Sequence, residues 1–412
     1  MSEMAIVSCR STQIRGIWHG ALLFLSPAVL IACDSADATN QAPLEVASTA
    51  NEWMLSDSVL TKIGVAMGDR QYELHFVTSA LLRPDSSLVI ANAGSGELRI
   101  YSGDGSFVAA QGARGRGPGE YMYPLIRSRP ERDSIVVFDQ GTLRVNITGR
   151  NGEYSRSFML VPPRVAGMAI WPQVLGRMNT GEFVVLESAE LVSSVLGTAR
   201  PHARLRFYSA EGSPGRELGS FSGDQVLVSS YDGNQIFTKL PFFPKLLVAV
   251  SGDVVYTFEG PAFRINAVHR DGSVRSLTHE HEIRRLSLET YSAWVETEIA
   301  PLPASAIGST RRFYHDIYEP WVLPSVDQLL VDDRGNLWAR EYSADGEASW
   351  HIFAPDLREI GEMATPSGAQ VLAIANERIV LLVQDAQGVE EIHVRRIVET
   401  QVDVVQRLHH VR

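Results

Sequence analysis

His279-Glu280-His281 sets two imidazoles on one face of an extended segment, a spacing from which a strand can chelate zinc. Such a site needs a third ligand, and Glu282 or His315 are the candidates to supply it. The plainer alternative is an exposed, charged turn at the end of a strand. Gly115-Arg116-Gly117-Pro118-Gly119 has the look of a phosphate cradle, with Arg114 and Arg116 as an anion-attracting rim. A P-loop, however, ends in Lys-Ser/Thr at the start of a helix, and here Pro118, Glu120 and Tyr121 stand instead. The segment is expected to be a tight crossing in which glycines take positive φ and Glu120 bonds neighbouring amides. Asp139, Glu187 and Asp332 end strands or begin turns, where carboxylates cap backbone N–H groups. No Gly-x-Ser-x-Gly elbow occurs, and no Ser/His/Asp set can be argued from order alone.

The elements that must position these residues are announced by a repeat. Leu98-Arg99-Ile100-Tyr101-Ser102-Gly103-Asp104-Gly105 recurs, altered, as Leu205-Arg206-Phe207-Tyr208-Ser209-Ala210-Glu211-Gly212. Related versions are Leu143-Arg144-Val145 with Asn151-Gly152, and Phe263-Arg264-Ile265 with Asp271-Gly272. Each is a strand of aromatic and β-branched residues followed by a hairpin turn. A hairpin alone cannot bury its apolar face, so a repeated one implies copies stacked around a shared core. Six blade-sized segments follow, starting near Tyr72, Tyr123, Ala169, Lys245, Val326 and Ala364. The expected fold is all-β: a six-bladed β-propeller with four-stranded antiparallel blades. Two interruptions stand out. Apolar residues of Leu286–Ala300 recur near helical spacing with Ser287 as N-cap, predicting a short helical insertion around 286–300, with the polar run to Arg312 as a loop. Ser229–Pro244 carries Tyr231, Phe237 and Phe242 between two blades, and Ser188–His202 is an insertion within the third.

Composition and the first residues bound the setting. The chain has 412 residues, 45% hydrophobic and 21% charged, which is globular rather than disordered. A net charge of −11 argues against a nucleic-acid partner. Lys62, Lys239 and Lys245 are the only lysines, so arginine supplies nearly all positive charge. Arg10 and Arg15 precede an uncharged run, Ile17 to Ala32, that is short for a membrane helix. It ends Leu30-Ile31-Ala32-Cys33, which resembles a bacterial lipobox with Cys33 as the lipidated residue. Residues 1–32 are then a lipoprotein signal peptide, 33–55 a flexible tether, 56–400 a single propeller domain and 401–412 a C-terminal tail. Cys9 and Cys33 are the only cysteines, so the mature chain would hold no disulfide.

Gly115-Arg116-Gly117-Pro118-Gly119-Glu120-Tyr121 resembles a segment of bacterial six-bladed β-propeller proteins related to the NHL-repeat group. Pro241-Phe242-Phe243-Pro244, Arg270-Asp271-Gly272-Ser273-Val274 and Asp332-Asp333-Arg334-Gly335-Asn336-Leu337-Trp338 fit the same group of exported, often lipid-anchored proteins. The resemblance spans about residues 70 to 397 and implies a fold more than an activity, since most members have no assigned function. Enzymes of this kind use histidines converging on the central channel, or axial Glu, Asn and Asp around a divalent cation, a set to which Asp139, Glu187 and Asp332 would be the candidates. Here His202, His269, His351 and His393 fall on or beside outer strands, and only His75 falls near an inner one.

The expected function is a membrane-anchored module of the cell envelope that binds a ligand or partner. Its partners would be the membrane, through the lipid, and a peptide, glycan or protein ligand, with the chain a monomer. The candidate binding rim is Arg114, Arg116, Tyr121, Tyr231, Phe237, Phe242, Arg311 and Arg312. No cofactor is expected on that basis. The alternative is a metal-dependent hydrolase or lyase, gluconolactonase-like or NHL-lyase-like, with calcium or zinc in the channel.

Overall fold

The computed structural model describes residues 51–128, 134–163, 170–189, 196–231, 234–343 and 348–400. Among them strands dominate, with two helices. After a long first strand, β1 (Asn51–Ile63), come two four-stranded antiparallel sheets. The first is β2 (Val77–Leu82), β3 (Leu88–Asn92), β4 (Glu97–Tyr101) and β5 (Phe107–Gln111); the second is β6 (Pro124–Ile126), β7 (Ile135–Asp139), β8 (Arg144–Thr148) and β9 (Tyr154–Met159). The third holds β10 (Ile170–Arg177), β11 (Phe183–Ala189), β13 (His202–Tyr208) and β14 (Pro214–Ser222). Between its second and third strands lies β12 (Gly197–Ala199), which pairs away from it with β15 (Val226–Tyr231) and β16 (Asn234–Thr238) in a small separate sheet. The fourth is β17 (Leu247–Ser251), β18 (Val254–Phe258), β19 (Arg264–His269) and β20 (Val274–Thr278). Helices α1 (Leu288–Ile299) and α2 (Ala304–Ile317) follow.

The remaining strands are β21 (Val326–Val331), β22 (Leu337–Glu341), β23 (Ala348–Phe353), β24 (Glu359–Thr365), β25 (Gln370–Ala375), β26 (Arg378–Gln384) and β27 (Glu390–Thr400). They join one sheet in the order β21-β22-β23-β24-β1-β27-β26-β25. β1 is the seam. It runs antiparallel to β27, Glu52 opposite Thr400 and Ile63 opposite Ile392, and touches β24 in parallel only at Asn51 and Glu52. The N-terminal strand thus completes the last antiparallel unit as its outermost strand. Residues 51–55, expected as part of the tether, are strand, because β27 would otherwise expose an unpaired edge.

First strands of neighbouring units lie side by side: β2 by β6, β10 by β17, β17 by β21, β21 by β25, and β25 by β2. Between β6 and β10, the Nε of Arg127 donates to the Val174 carbonyl at 2.8 Å. Each unit also buries an apolar layer against the next, from Leu98 and Ile135 between the first two sheets to Leu82, Val380 and Ile392 between the last and the first. This closed circle of twisted sheets is a β-propeller.

The residue pattern explains the radial order. Second strands are sandwiched on both faces, and Leu88-Val89-Ile90-Ala91 and Ile135-Val136-Val137-Phe138 are buried throughout. Fourth strands such as β5 and β9 alternate or expose their residues. The four sequence repeats are all the hairpin between third and fourth strands. In each the turn glycine N–H donates back three residues, Gly105 to Ser102, Gly152 to Gly149, Gly212 to Ser209 and Gly272 to His269. The first inner strand is β2 at Val77–Leu82.

The expected helix is present, with Ser287 Oγ accepting the Thr290 N–H at 3.1 Å as N-cap. The run expected as a loop is instead α2. Pro301 follows the C-cap Ala300 of α1, where it cannot continue the helix, and Pro303 occupies the N-cap position of α2, where a fixed φ suits a helix start. Both helices pack on the Phe242–Phe243 loop in a core of their own, with Tyr291, Val295, Trp321 and Leu323.

Candidate functional site

In an antiparallel four-stranded unit the chain enters the first strand and leaves the fourth at the same end. The connections between units therefore gather on one face, together with the β12-β15-β16 sheet and both helices. The expected rim residues fall on these connections, but not all reach the surface. Arg114 and Arg116 are exposed. Tyr121 is not: it is 1% exposed in the layer between the first two sheets, with its hydroxyl pKa raised by burial. Phe242 is likewise buried, edge-on to Trp294 with centroids 5.0 Å apart. Aromatic rings placed in an apolar core gain more than they would on a wet rim, which corrects both assignments. Phe237 is exposed, and Tyr231 ends β15 with its side chain outside the described residues. Arg311 is held in a two-pronged ion pair with Glu296 of α1, both bonds 2.8 Å, and Arg312 is exposed. Cys33 lies outside the described residues.

The glycine segment is a crossing, as expected. Glu120 Oε2 accepts the Gly117 N–H at 2.8 Å, and Gly119 has φ +77°. Asp139 and Asp332 cap backbone amides as expected, whereas Glu187 bonds side chains. Asp139 accepts the N–H groups of Met122 and Tyr123, and Asp332 those of Arg334 and Asn336 together with the Trp338 indole. Glu187 takes the Tyr208 hydroxyl at 2.7 Å and Arg206 Nε at 3.0 Å. None of the first strands β2, β6, β10, β17, β21 and β25 carries a histidine. His75 precedes β2 and spends its backbone N–H on Asn92 Oδ1.

Two arrangements on or near the connection face can do chemistry. The first is a cleft of about 380 Å³ lined by Trp171, Gln140, Gln173, Ser188 and His202, with Asp224 and Lys239. Lys239 Nζ and Asp224 Oδ2 pair at 2.8 Å. Trp171 is 59% exposed, so an aromatic plate stands beside amide and hydroxyl groups from separate elements. Nothing in the order of the sequence marked this cleft, since its wall joins the turn after β7 to strands of the next unit.

The second is a histidine–glutamate cluster between the fourth unit and the one after it. His279 follows β20, His351 is on β23 and Glu359 opens β24. His351 Nδ1 lies 2.9 Å from Glu359 Oε1, and His279 Nδ1 lies 3.5 Å from Glu359 Oε2. The two imidazoles are 4.3 Å apart between centroids, with Phe263 against both. Donating a hydrogen bond to Glu359 raises the His279 pKa above its ordinary value. Burial would raise the Glu359 carboxyl, but the two imidazoles overcome it and hold the group down at about 2. His281 does not join. It turns to Glu341, Nδ1 to Oε1 3.4 Å, and burial lowers its pKa. Glu282 is exposed, and His315 sits beside Asp316 on α2. The partner of His279 is thus His351, more than seventy residues away, and not the neighbour two residues on.

No family model matches the chain, and no curated protein matches it. Solved structures similar to it include a member of the DUF4221 family from Bacteroides vulgatus, at 9% identity and TM-score 0.47, over 85% of this chain and 100% of that one. Another is a catalytically inactive virginiamycin B lyase from Staphylococcus aureus with quinupristin, at 11% identity and TM-score 0.35, over 86% and 90%. A third is regucalcin, a calcium-binding protein from Agrobacterium tumefaciens, at 9% identity and TM-score 0.37, over 85% and 98%. At these scores the likeness assigns no ligand and no chemistry. Among the described residues no helix is long and apolar enough to cross a membrane.

Proposed function

We infer that this chain is an exported, six-bladed propeller, held at the cell envelope by lipid on Cys33, that binds a ligand on its connection face. The blade count is supported by the antiparallel units that succeed one another around the ring, the last completed by β1. The observation that carries the binding role is the cleft beside Trp171. One exposed indole face among amides, a hydroxyl and a charged pair suits a ligand with apolar faces and many hydrogen-bonding groups, which is the chemistry of an oligosaccharide. Recognition there needs no covalent step. The ring stacks on Trp171, while Gln140 and Gln173 offer both donors and acceptors.

Binding is tested by titrating the purified protein with envelope-derived oligosaccharides and following tryptophan fluorescence. Saturable quenching that Trp171→Ala removes, with thermal stability unchanged, is the expected result. Equal titration curves for the two proteins would refute the cleft. Anchoring is tested separately: Cys33→Ala should move the protein from the membrane to the soluble fraction, and unchanged fractionation would exclude the lipid.

A further inference from the structure

We propose that His279, His351 and Glu359 form a zinc site that clips two neighbouring sheets of the propeller together. Their ligating atoms all lie within 4.8 Å of one another, one from the end of β20 and two from β23 and β24. Bonds of about 2.0–2.1 Å in a tetrahedral site place ligand atoms about 3.3 Å apart. His351 Nδ1 lies 2.9 Å from Glu359 Oε1 and His279 Nδ1 lies 3.5 Å from Oε2, so each imidazole stands near that distance from one of the two carboxylate oxygens. Two histidines and a glutamate are a donor set zinc accepts readily, and they leave a fourth position open to water.

The surroundings fit a metal better than they fit a plain ion pair. Glu341 Oε2 stands 3.8 Å from His351 Nε2, on the side of the ring away from Glu359; at that distance it acts by charge and not by a hydrogen bond, raising the basicity of the ring while Nδ1 faces the metal. Arg284 Nη2 and His281 Nδ1, each 3.4 Å from Glu341 Oε1, in turn hold Glu341. Phe263 walls the site on one side. The side chains of His279 and Glu359 stay 26% and 20% exposed, which leaves an entry path. The site lies between sheets and not on the first strands, so it is independent of the ligand cleft and of any channel chemistry.

Zinc titrated into the chelator-stripped protein should bind with one-to-one stoichiometry, and cobalt in its place should give the visible absorption of a tetrahedral site. His279→Gln and Glu359→Gln should each weaken zinc binding at least tenfold and remove the cobalt band, and Glu341→Gln should weaken it about 10–100-fold. His279 is the safer probe of the pair, since it lies beyond the end of its strand; circular dichroism of each stripped variant reports folding. The sequence also holds His409-His410, which can bind metal by themselves. A double His409→Ala/His410→Ala variant should therefore bind zinc as the parent does. Absence of one-to-one zinc binding, binding undiminished by His279→Gln, or binding lost with the tail histidines would each overturn the site.

Discussion

The indole of Trp53 packs edge-on against that of Trp338, centroids 5.5 Å apart and planes at 82°, so the first strand of the fold is seated on the last-but-one unit. Both belong to one apolar layer with Trp350, Ile352, Ile379 and Ile397. The ring is therefore locked by side chains as well as by the β1–β27 ladder.

Trp53→Ala should cost about 3–5 kcal/mol, because it leaves a cavity at the seam that neighbouring sheets cannot collapse to fill. Urea unfolding followed by circular dichroism measures this. A midpoint equal to the parent's would show that β1 is not needed for closure.

Glu391 sits at the same seam, 2.8 Å from Lys62 Nζ of β1 and 2.9 Å from His393 Nε2. Burial would raise its carboxyl, but the bonds to Lys62 and His393 hold it below the ordinary 4.5. Its stabilising contribution is complete above 4.5 and is lost as pH falls through the depressed folded-state value. Glu391→Gln should flatten the loss of stability below that pH. Thermal melts across the acid range would show it, and parallel curves would count against the seam role.

Gly112 has φ +94°, and a Cβ there would come within 2.7 Å of the Tyr121 ring. Gly388 has φ +79° with nothing within 4 Å. Gly112→Ala should thus cost about 1–3 kcal/mol from strain and clash together, and Gly388→Ala about 1 kcal/mol from backbone conformation alone. Chemical denaturation of the two variants gives the comparison; equal losses would mean the Tyr121 ring yields freely.

Phe242 and Phe237 separate core from rim within one connection. Phe242→Ala should destabilise by about 3–5 kcal/mol, since the ring fills the core under α1. Phe237 is 43% exposed, and its replacement by Ala should stay within about 0.5 kcal/mol. Differential scanning calorimetry distinguishes the two, and the reverse order would restore Phe242 to the binding rim.

The sequence alone determined what local chemistry controls. Turn residues such as Asp104-Gly105 and Asp271-Gly272 specify their hairpins whatever surrounds them, and unbroken apolar runs such as Ile135–Phe138 declare strands buried on both faces. Ser287 marked a helix start because its hydroxyl caps an amide three residues away. The tertiary structure decided everything that depends on which strands meet. β1 carries no repeat, so its place at the seam follows only from the free edge of β27. Tyr121 and Phe242 look the same in sequence whether they face water or a neighbouring sheet. His279 and His281 share a face two residues apart, yet the packing of one sheet on the next gives His279 to His351 and Glu359, and His281 to Glu341. Spacing along a strand is set by the backbone, whereas a site between sheets is set by how their faces pack.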